Sequence, residues 1–421
     1  MDLWTEDESL YPKLHPLKLF DLAKSQKRYL YACAPMVRYS KLAFRQTVHE
    51  YGTDLCWTPM ILAKEFNRNA AARDSDLTVS TTSMATKRQP PTIAQFGASD
   101  PVELSRAASL AAPFVNGVDL NCGCPQSWAC AASLGAALMG RRDLVRDMVV
   151  ATRRRLADDG WAVGMTARDL GSPRGRSVSV KIRVHSDLRR TVDFISTVLG
   201  DGCGAGGGDA VLGGGGGRNV DWITIHPRTR HTPSSTPIDL DALALLTETF
   251  GKRVPILVSG DVFALANLPY TSHLLEPQPT LTTNTSPKPS TAPSRRSSPS
   301  SPGPSPTTSP SAKLHLPHLA GLMSARALLA NPALFAGHSC CPWEAVDAFL
   351  RNAARAPLPL KLGVHHLTEM CGPGLGPDKG ALLSKRERVR LVECGSWVDV
   401  LDFLDEVRGE RGDEGGVRRE G

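Results

Sequence analysis

The sequence lacks the features that mark membrane and secreted proteins. It has no run of eighteen apolar residues, which a membrane-spanning helix would require. Its start, Met1 to Glu8, is acidic and does not show the basic-then-apolar order of a signal peptide. Its 10 cysteines follow no regular spacing, which is typical of a reducing compartment. We therefore expect a cytoplasmic protein that has no membrane partner, with the nucleus or mitochondrion left open.

Two common cofactor patterns are missing as well. No Gly-x-Gly-x-x-Gly segment opens a helix, as a Rossmann domain would need. The glycine-rich run 202–217 is not entered by a strand or followed by a helix, so it predicts a flexible loop. Cys122 and Cys124 form a Cys-x-Cys pair, but no histidine or second pair stands nearby at zinc spacing, and we expect no metal.

Length and charge set broad limits on the fold and its partners. A chain of 421 residues can hold a large core and a smaller second domain. Its formal net charge of +7 permits a polyanionic partner without requiring one. We expect a monomer.

Strand and helix patterns alternate along most of the chain. Strands are predicted at 28–35, 54–57, 92–96, from 117, and at 177–184, 222–225, 254–259 and 320–323. Helices are predicted at 41–51, 101–111, 142–157, 189–199, 240–250 and 325–335, with Ser40 and Asp100 as N-caps of the first two. This alternation predicts an α/β fold, a (β/α)8 TIM barrel with its catalytic residues on the loops after the strands.

The remaining segments predict the domain organisation. We expect an N-terminal extension (1–27), the barrel (28–337), a small C-terminal helical domain (338–408) and a disordered charged tail (409–421). In the helical domain, Ser396 is the predicted N-cap of a helix that buries Trp397, Val400, Leu401 and Leu404.

An insert rich in Pro, Ser and Thr, at 274–312, is expected to be disordered because it cannot bury a core. It stands where the seventh barrel helix belongs. Either that helix is reduced to a remnant near 263–268, or the reading frame includes non-coding sequence.

The strand that begins at Gly117 leads to the candidate catalytic group. It ends abruptly at Gly123 and Pro125, residues that interrupt regular backbone. A thiol on such a loop, that of Cys124, can face a substrate as an acid or a nucleophile. Most cysteines in comparable chains are instead small buried hydrophobic residues, so spacing alone leaves both interpretations open.

Four motifs occur in order along the chain. They are APMVRYSKLAFR at 34–45, DLNCGCPQ at 119–126, IHPRT at 225–229 and ALLANPALFAG at 327–337. Together they resemble the tRNA-dihydrouridine synthases, most of all the eukaryotic branch that acts at tRNA positions 20a and 20b. The resemblance implies an FMN-dependent enzyme that reduces uridine to 5,6-dihydrouridine in the D-loop of tRNA. NADPH or NADH would be the electron donor, and the helical domain would add to the tRNA-binding surface.

The resemblance also implies residue roles. Cys124 would give a proton to C5 of the uridine while the hydride reaches C6. Flavin contacts would come from Ala34, Pro35, Met36, Gln95, Lys181, His226, Ser259, Gly260, Asp261, Ala325 and Arg326. Substrate contacts would come from Asn121, Arg38, Arg183 and Arg228. Without the resemblance, Lys181 could equally form a salt bridge, and Gln95 and His226 could be ordinary packed polar groups.

Four positions depart from the family pattern, one of them Ala320, which stands where the family has Asp before the last strand. Ser127 replaces a basic residue, and Ser259 and Ala325 replace Asn and Gly beside the flavin phosphate. Two other functions therefore stay open. One is a flavin-dependent barrel oxidoreductase for a small molecule, and the other is a catalytically degenerate relative that still binds tRNA.

Overall fold

Eight parallel strands form a closed barrel in this computed structural model, which describes residues 14–77, 90–201, 218–271, 313–410 and 418–419. The strands are β1 Leu30–Cys33, β2 Leu55–Trp57, β3 Thr92–Gly97, β4 Gly117–Cys122, β5 Ser177–Arg183, β6 Ile223–His226, β7 Ile256–Ser259 and β8 Leu319–Ser324. Each pairs with the next along the chain, and β8 pairs with β1 through Leu30 and Gly321. The predicted (β/α)8 barrel is confirmed.

Helices surround the barrel and continue beyond it. The α-helices are Pro16–Ser25, Leu42–Glu50, Ala63–Arg68, Ala70–Leu77, Pro101–Ala111, Ser127–Ala131, Arg142–Asp158, Ala167–Gly171, Leu188–Leu199, Leu240–Phe250, Arg326–Ala330, Trp343–Arg355, Leu360–Met370, Lys385–Glu393 and Trp397–Glu410. The 3₁₀ turns are Ala112–Phe114, Gly135–Gly140, Leu265–Asn267 and Leu334–Ala336. Within the described ranges, no helix is long and apolar enough to cross a membrane. The division into extension, barrel, helical domain and tail stays a prediction.

An aromatic column closes the N-terminal end of the barrel. Helix Pro16–Ser25 packs there, and its Phe20 ring lies 5.6 Å from the ring of Trp222. Trp222 in turn meets Trp57 edge to face at 6.2 Å inside the barrel. All three side chains are buried, so the cavity that the barrel forms can open only at the C-terminal ends of the strands.

The unit after β7 differs from the other β/α units. Its described residues form the 3₁₀ turn Leu265–Asn267, which agrees with the predicted helix remnant, and the strand Tyr270–Thr271. This strand pairs in parallel with Leu314–His315. The insert predicted to be disordered, 274–312, and the predicted flexible loop, 202–217, lie outside the described residues.

The two predicted N-caps in the barrel have different outcomes. Asp100 caps helix Pro101–Ala111 by accepting the Glu103 N–H at 2.8 Å, as predicted. The prediction for Ser40 is wrong, because the N-cap residue is Lys41 and makes no side-chain cap bond. The Ser40 hydroxyl is instead engaged by the Met36 backbone, whose N–H lies 3.0 Å away.

The last helix is confirmed at its start and corrected on its buried face. Ser396 Oγ accepts the Asp399 N–H at 3.1 Å, as predicted for the N-cap. Leu401, however, is 46% exposed, and Phe403 takes a buried place instead. The tail predicted to be disordered from Gly409 continues the helix to Glu410, and Arg418–Arg419 pairs antiparallel with Gly380–Ala381. Residues 411–417 and 420–421 lie outside the described part.

A buried ion pair ties helix Arg142–Asp158 to the barrel. Arg153 Nη2 lies 2.5 Å from Asp221 Oδ2, and the two side chains are 2% and 0% exposed. The same carboxylate oxygen accepts the Val178 N–H at 2.6 Å. Because a buried charge without its partner is costly, this pair should matter more than any exposed pair.

We predict that Asp221→Ala lowers the free energy of unfolding by about 3–5 kcal/mol, because it leaves the Arg153 guanidinium buried and uncompensated. The control Asp201→Ala breaks the exposed pair with Arg253, and we expect a loss below about 1 kcal/mol. Urea unfolding followed by circular dichroism measures both changes. Equal losses in the two variants would contradict the prediction.

Candidate active site

A cavity of about 300 Å³ opens at the C-terminal ends of the strands. The predicted site residues that line it are Ala34, Pro35, Gln95, Asn121, Cys124, Lys181, Arg183, His226, Arg228, Ser259, Gly260, Asp261, Ala325 and Arg326. Met36 and Arg38 lie outside the lining, and Arg38 is exposed in a left-handed backbone conformation with φ 72°. The structure thus brings most of the predicted residues together, while their roles stay predictions.

A network of buried side-chain hydrogen bonds runs from the cavity lining into the interior of the barrel. Asn121 Nδ2 donates to Gln95 Oε1 at 2.8 Å, and Gln95 Nε2 donates to Asp119 Oδ2 at 2.8 Å. The hydroxyl of Ser179 donates to the other Asp119 oxygen at 2.6 Å. Asp119 lies opposite Gln95 on β3 and Ser179 on β5, so strand register aligns the three inward side chains.

Asp119, a central member of this hydrogen-bond network, was not among the residues predicted from the sequence. Burial raises the pKa of its carboxyl to about 6, although hydrogen bonds from Ser179 and Gln95 and the charge of Lys181 act in the opposite direction. The available signal was a carboxylate two residues before Asn121 on an otherwise apolar strand, since alternate strand residues share one face.

The loop that carries Cys124 is held from three sides. Asn121 Oδ1 accepts the N–H groups of Gly123 at 3.0 Å and Cys124 at 2.8 Å. Arg183 Nε donates to the Gly123 carbonyl at 2.8 Å, so this predicted substrate residue also supports the loop. Behind Cys124, Gly135 has φ +60°, and a Cβ there would lie only 2.5 Å from the Cys124 carbonyl oxygen. Gly135 is therefore a second residue that the sequence analysis missed.

The two cysteines of the Cys-x-Cys pair have different environments. Cys122 is fully buried, and burial raises its thiol pKa well above the ordinary value. Cys124 is half-buried and lines the cavity. Across the described ranges, no group of three or more His, Cys, Asp or Glu side chains is placed to hold a metal ion.

One wall of the cavity is cationic. Burial and the neighbouring Arg183 lower the pKa of Lys181 to about 8, so the ammonium is still mostly charged at pH 7. Burial, together with Lys181, Arg183, Arg228 and Arg326, lowers the pKa of His226 to about 2. The His226 ring is therefore neutral, and its Nε2, 3.0 Å from Arg228 Nη1, is the nitrogen placed to accept a hydrogen bond.

Arg228 is engaged within the chain. Its guanidinium pairs with Asp261 at 2.6 Å and donates to the Thr236 carbonyl at 2.7 Å. Only 4% of Arg228 is exposed. The structure therefore places this predicted substrate residue in the cavity wall, where it supports Asp261 and His226.

The lining has the chemistry that a flavin mononucleotide requires. The Lys181 ammonium has no hydrogen bond or ion pair with any other described residue, so its charge is available to a ligand in the cavity. Gly260 has φ +111°, and a Cβ there would come within 2.9 Å of Ile238 and 3.1 Å of His226, so only glycine leaves this corner open. Arg326 begins a helix whose N-cap, Ala325, makes no side-chain cap bond, and such helix starts offer N–H groups to phosphate. These residues fit the flavin.

Known proteins resemble this chain along most of its length. The family model described as dihydrouridine synthase matches residues 32–205. The tRNA-dihydrouridine(20a/20b) synthase of Schizosaccharomyces pombe is 32% identical over 93% of this chain and 91% of that protein. The proteins of Mus musculus and Homo sapiens named as like that enzyme are 35% and 34% identical, over 94% of this chain in both cases and over 94% and 95% of their own lengths.

We predict that Gly135→Ala destabilises the protein more than Gly337→Ala does. Both glycines have positive φ, which costs an alanine about 1–2 kcal/mol, but a Cβ at Gly337 meets open space whereas one at Gly135 strikes Cys124. Urea unfolding gives the two free energies. Equal losses would show that Gly135 does not fix the cysteine loop.

We also predict a pH-dependent effect of Asp119→Asn. The folded-state pKa of about 6 lies above the ordinary value of ~3.9, so the wild type loses stability as the buried proton leaves between about pH 4 and pH 6. The free energy of unfolding of the variant, relative to wild type, should therefore rise over this range and level off above it. Urea unfolding at several pH values tests this, and a flat or falling difference would be incompatible with it.

Proposed function

Because the chain belongs to the dihydrouridine synthase family, we propose that it reduces a uridine in the D-loop of tRNA to 5,6-dihydrouridine. The observation that carries the proposal is the placement of Cys124 and Lys181 in one cavity at the mouth of the barrel. The names of the three relatives described above specify positions 20a and 20b, and we propose the same positions here.

The proposed cofactor is FMN. Lys181, Gln95 and His226 would face its ring, while Gly260, Ser259 and Arg326 would hold its phosphate. When bound, reduced FMN supplies the hydride that adds to C6 of the uracil ring. NADPH or NADH is the proposed electron donor, since the relatives' names carry NAD(P)+.

Cys124 is the proposed acid. Its S–H bond breaks as a C5–H bond forms on the face of the uracil opposite the incoming hydride, and water returns a proton to the sulfur afterwards. Asn121 holds the backbone that carries the thiol because it accepts the N–H groups of Gly123 and Cys124. His226 is neutral and cannot serve as the acid, whereas Lys181, with a pKa of about 8, is the competing proton source.

The target uridine must enter the cavity as a single unstacked nucleotide of the tRNA. A uridine stacked inside folded tRNA cannot reach the cavity, so it is turned out of the stack into the mouth of the barrel. Arg38 is exposed, and the basic stretch that begins helix Lys385–Glu393 lies in the C-terminal helices. Both are proposed to contact tRNA phosphates.

We predict that Cys124→Ala lowers the rate of dihydrouridine formation by at least about 100-fold, the usual contribution of a general acid. The visible flavin absorbance of the purified variant should remain, because the cysteine does not hold the cofactor. The control Cys340→Ala removes another half-buried thiol, which lies outside the cavity lining, and should keep its activity. The assay counts dihydrouridine in an unmodified tRNA transcript after addition of NADPH.

Three outcomes would change these conclusions. Full activity in Cys124→Ala would refute the proton role and favour Lys181. A colourless wild-type protein that cannot be reconstituted with FMN, yet shifts tRNA on a gel, would indicate a degenerate tRNA-binding relative. A flavoprotein oxidised by other acceptors without any tRNA affinity would indicate a small-molecule oxidoreductase.

A further inference from the structure

Trp128 is a large exposed aromatic side chain next to the candidate active site. It lies in helix Ser127–Ala131, which follows the Cys124 loop directly, and is 48% exposed. Trp57 and Trp222, in contrast, are fully buried against each other. The Trp128 ring makes no ring, cation or hydrogen-bond contact with any other residue that the structure describes.

The position of Trp128 is fixed by its own segment. The Trp128 carbonyl accepts the Ala132 N–H at 3.2 Å, and the Ala129 carbonyl accepts the Leu134 N–H at 2.8 Å. The Cys124 carbonyl accepts the Ala136 N–H at 2.8 Å, which joins both ends of the segment to the cysteine loop. The backbone that carries the exposed indole is therefore held in place by hydrogen bonds.

A second cavity, of about 420 Å³, lies on the same face of the barrel. It sits between the starts of the helices that follow β4 and β5, and its lining includes Met139, Arg141, Arg142, His185, Arg190 and Asp193. The 3₁₀ turn Gly135–Gly140, against which helix Ser127–Ala131 packs, leads from Trp128 to this cavity. The two features thus share one surface beside the active-site cavity.

Free positive charge remains in this second cavity. Its two carboxylates are paired, since Arg142 contacts both Asp143 and Asp193, and Arg146 contacts Asp143 at 3.0 Å. His185 is tied to the Met139 carbonyl at 2.9 Å. The guanidinium groups of Arg141 and Arg190 are exposed and form no ion pair or side-chain hydrogen bond with another described residue.

We propose that Trp128, Arg141 and Arg190 form a docking strip for the unpaired nucleotides next to the target uridine. Aromatic faces that stack on bases, beside arginines that pair with phosphates, are the chemistry of single-stranded nucleic acid binding. The inference rests on the proposed function and adds the path of the RNA, which leaves the mouth of the barrel across the loops after β4 and β5.

The test measures the affinity of the full-length protein for an unmodified tRNA transcript at several salt concentrations. Trp128→Ala should weaken binding by about 5- to 150-fold, the range for loss of one stacked base, without changing the salt dependence. Trp128→Phe should restore most of the affinity. The double variant Arg141→Gln, Arg190→Gln should reduce the slope of log K against log salt by about 1.4–1.8, because two phosphate contacts are lost.

Leu245→Ala is the matched control, since Leu245 is 45% exposed on helix Leu240–Phe250, away from the mouth of the barrel. It should leave affinity and slope unchanged. Wild-type affinity in both Trp128→Ala and the arginine variant would overturn the strip, even if the wild type makes dihydrouridine. Loss of affinity in both variants, with no dihydrouridine formed by the wild type, would support the docking strip and refute the proposed reaction. A loss that Trp128→Phe does not restore would contradict stacking.

Discussion

The side-chain amide of Asn121 joins the buried interior of the barrel to the loop that carries Cys124. Its nitrogen donates to Gln95, which leads to Asp119 and Ser179, and its oxygen accepts two N–H groups of the loop. An amide with its two ends committed in this way cannot turn over without leaving buried groups unpaired. The backbone that carries the cysteine therefore depends on a hydrogen-bond network that extends from the cavity lining into the interior of the barrel.

The barrel interior is arranged in layers along its axis. Phe20, Trp222 and Trp57 form an aromatic layer at the N-terminal end, and the Asp119 network lies above it. Above that network, Lys181 and its cationic neighbours face the cavity. The raised pKa of the Asp119 carboxyl and the lowered pKa of the Lys181 ammonium both result from burial. Within this polar layer, Asp119 and Ser179 support Gln95 and Asn121, which line the cavity.

Much of this arrangement could be predicted from the sequence because it depends on local patterns. Strand and helix alternation predicted the barrel, and the resemblance of short motifs to a known family named most residues that line the cavity. Asp119 was missed because its importance comes from register with Gln95 and Ser179, which no single strand reveals. Gly135 was missed because the close approach of Cys124 is a tertiary contact. Leu401 was placed inside because the pattern of one helix does not show which side its neighbours cover.

The two-residue strands Tyr270–Thr271 and Leu314–His315 pair with each other in the seventh β/α unit. They bring the two ends of the connection between β7 and β8 side by side, directly before β8 begins. The chain therefore enters β8 from a fixed point, which does not depend on the length of the sequence between the two short strands. Since the entropy of closing a loop grows only slowly with its length, this connection can lengthen in evolution with little effect on the eighth strand or on the ring that it completes.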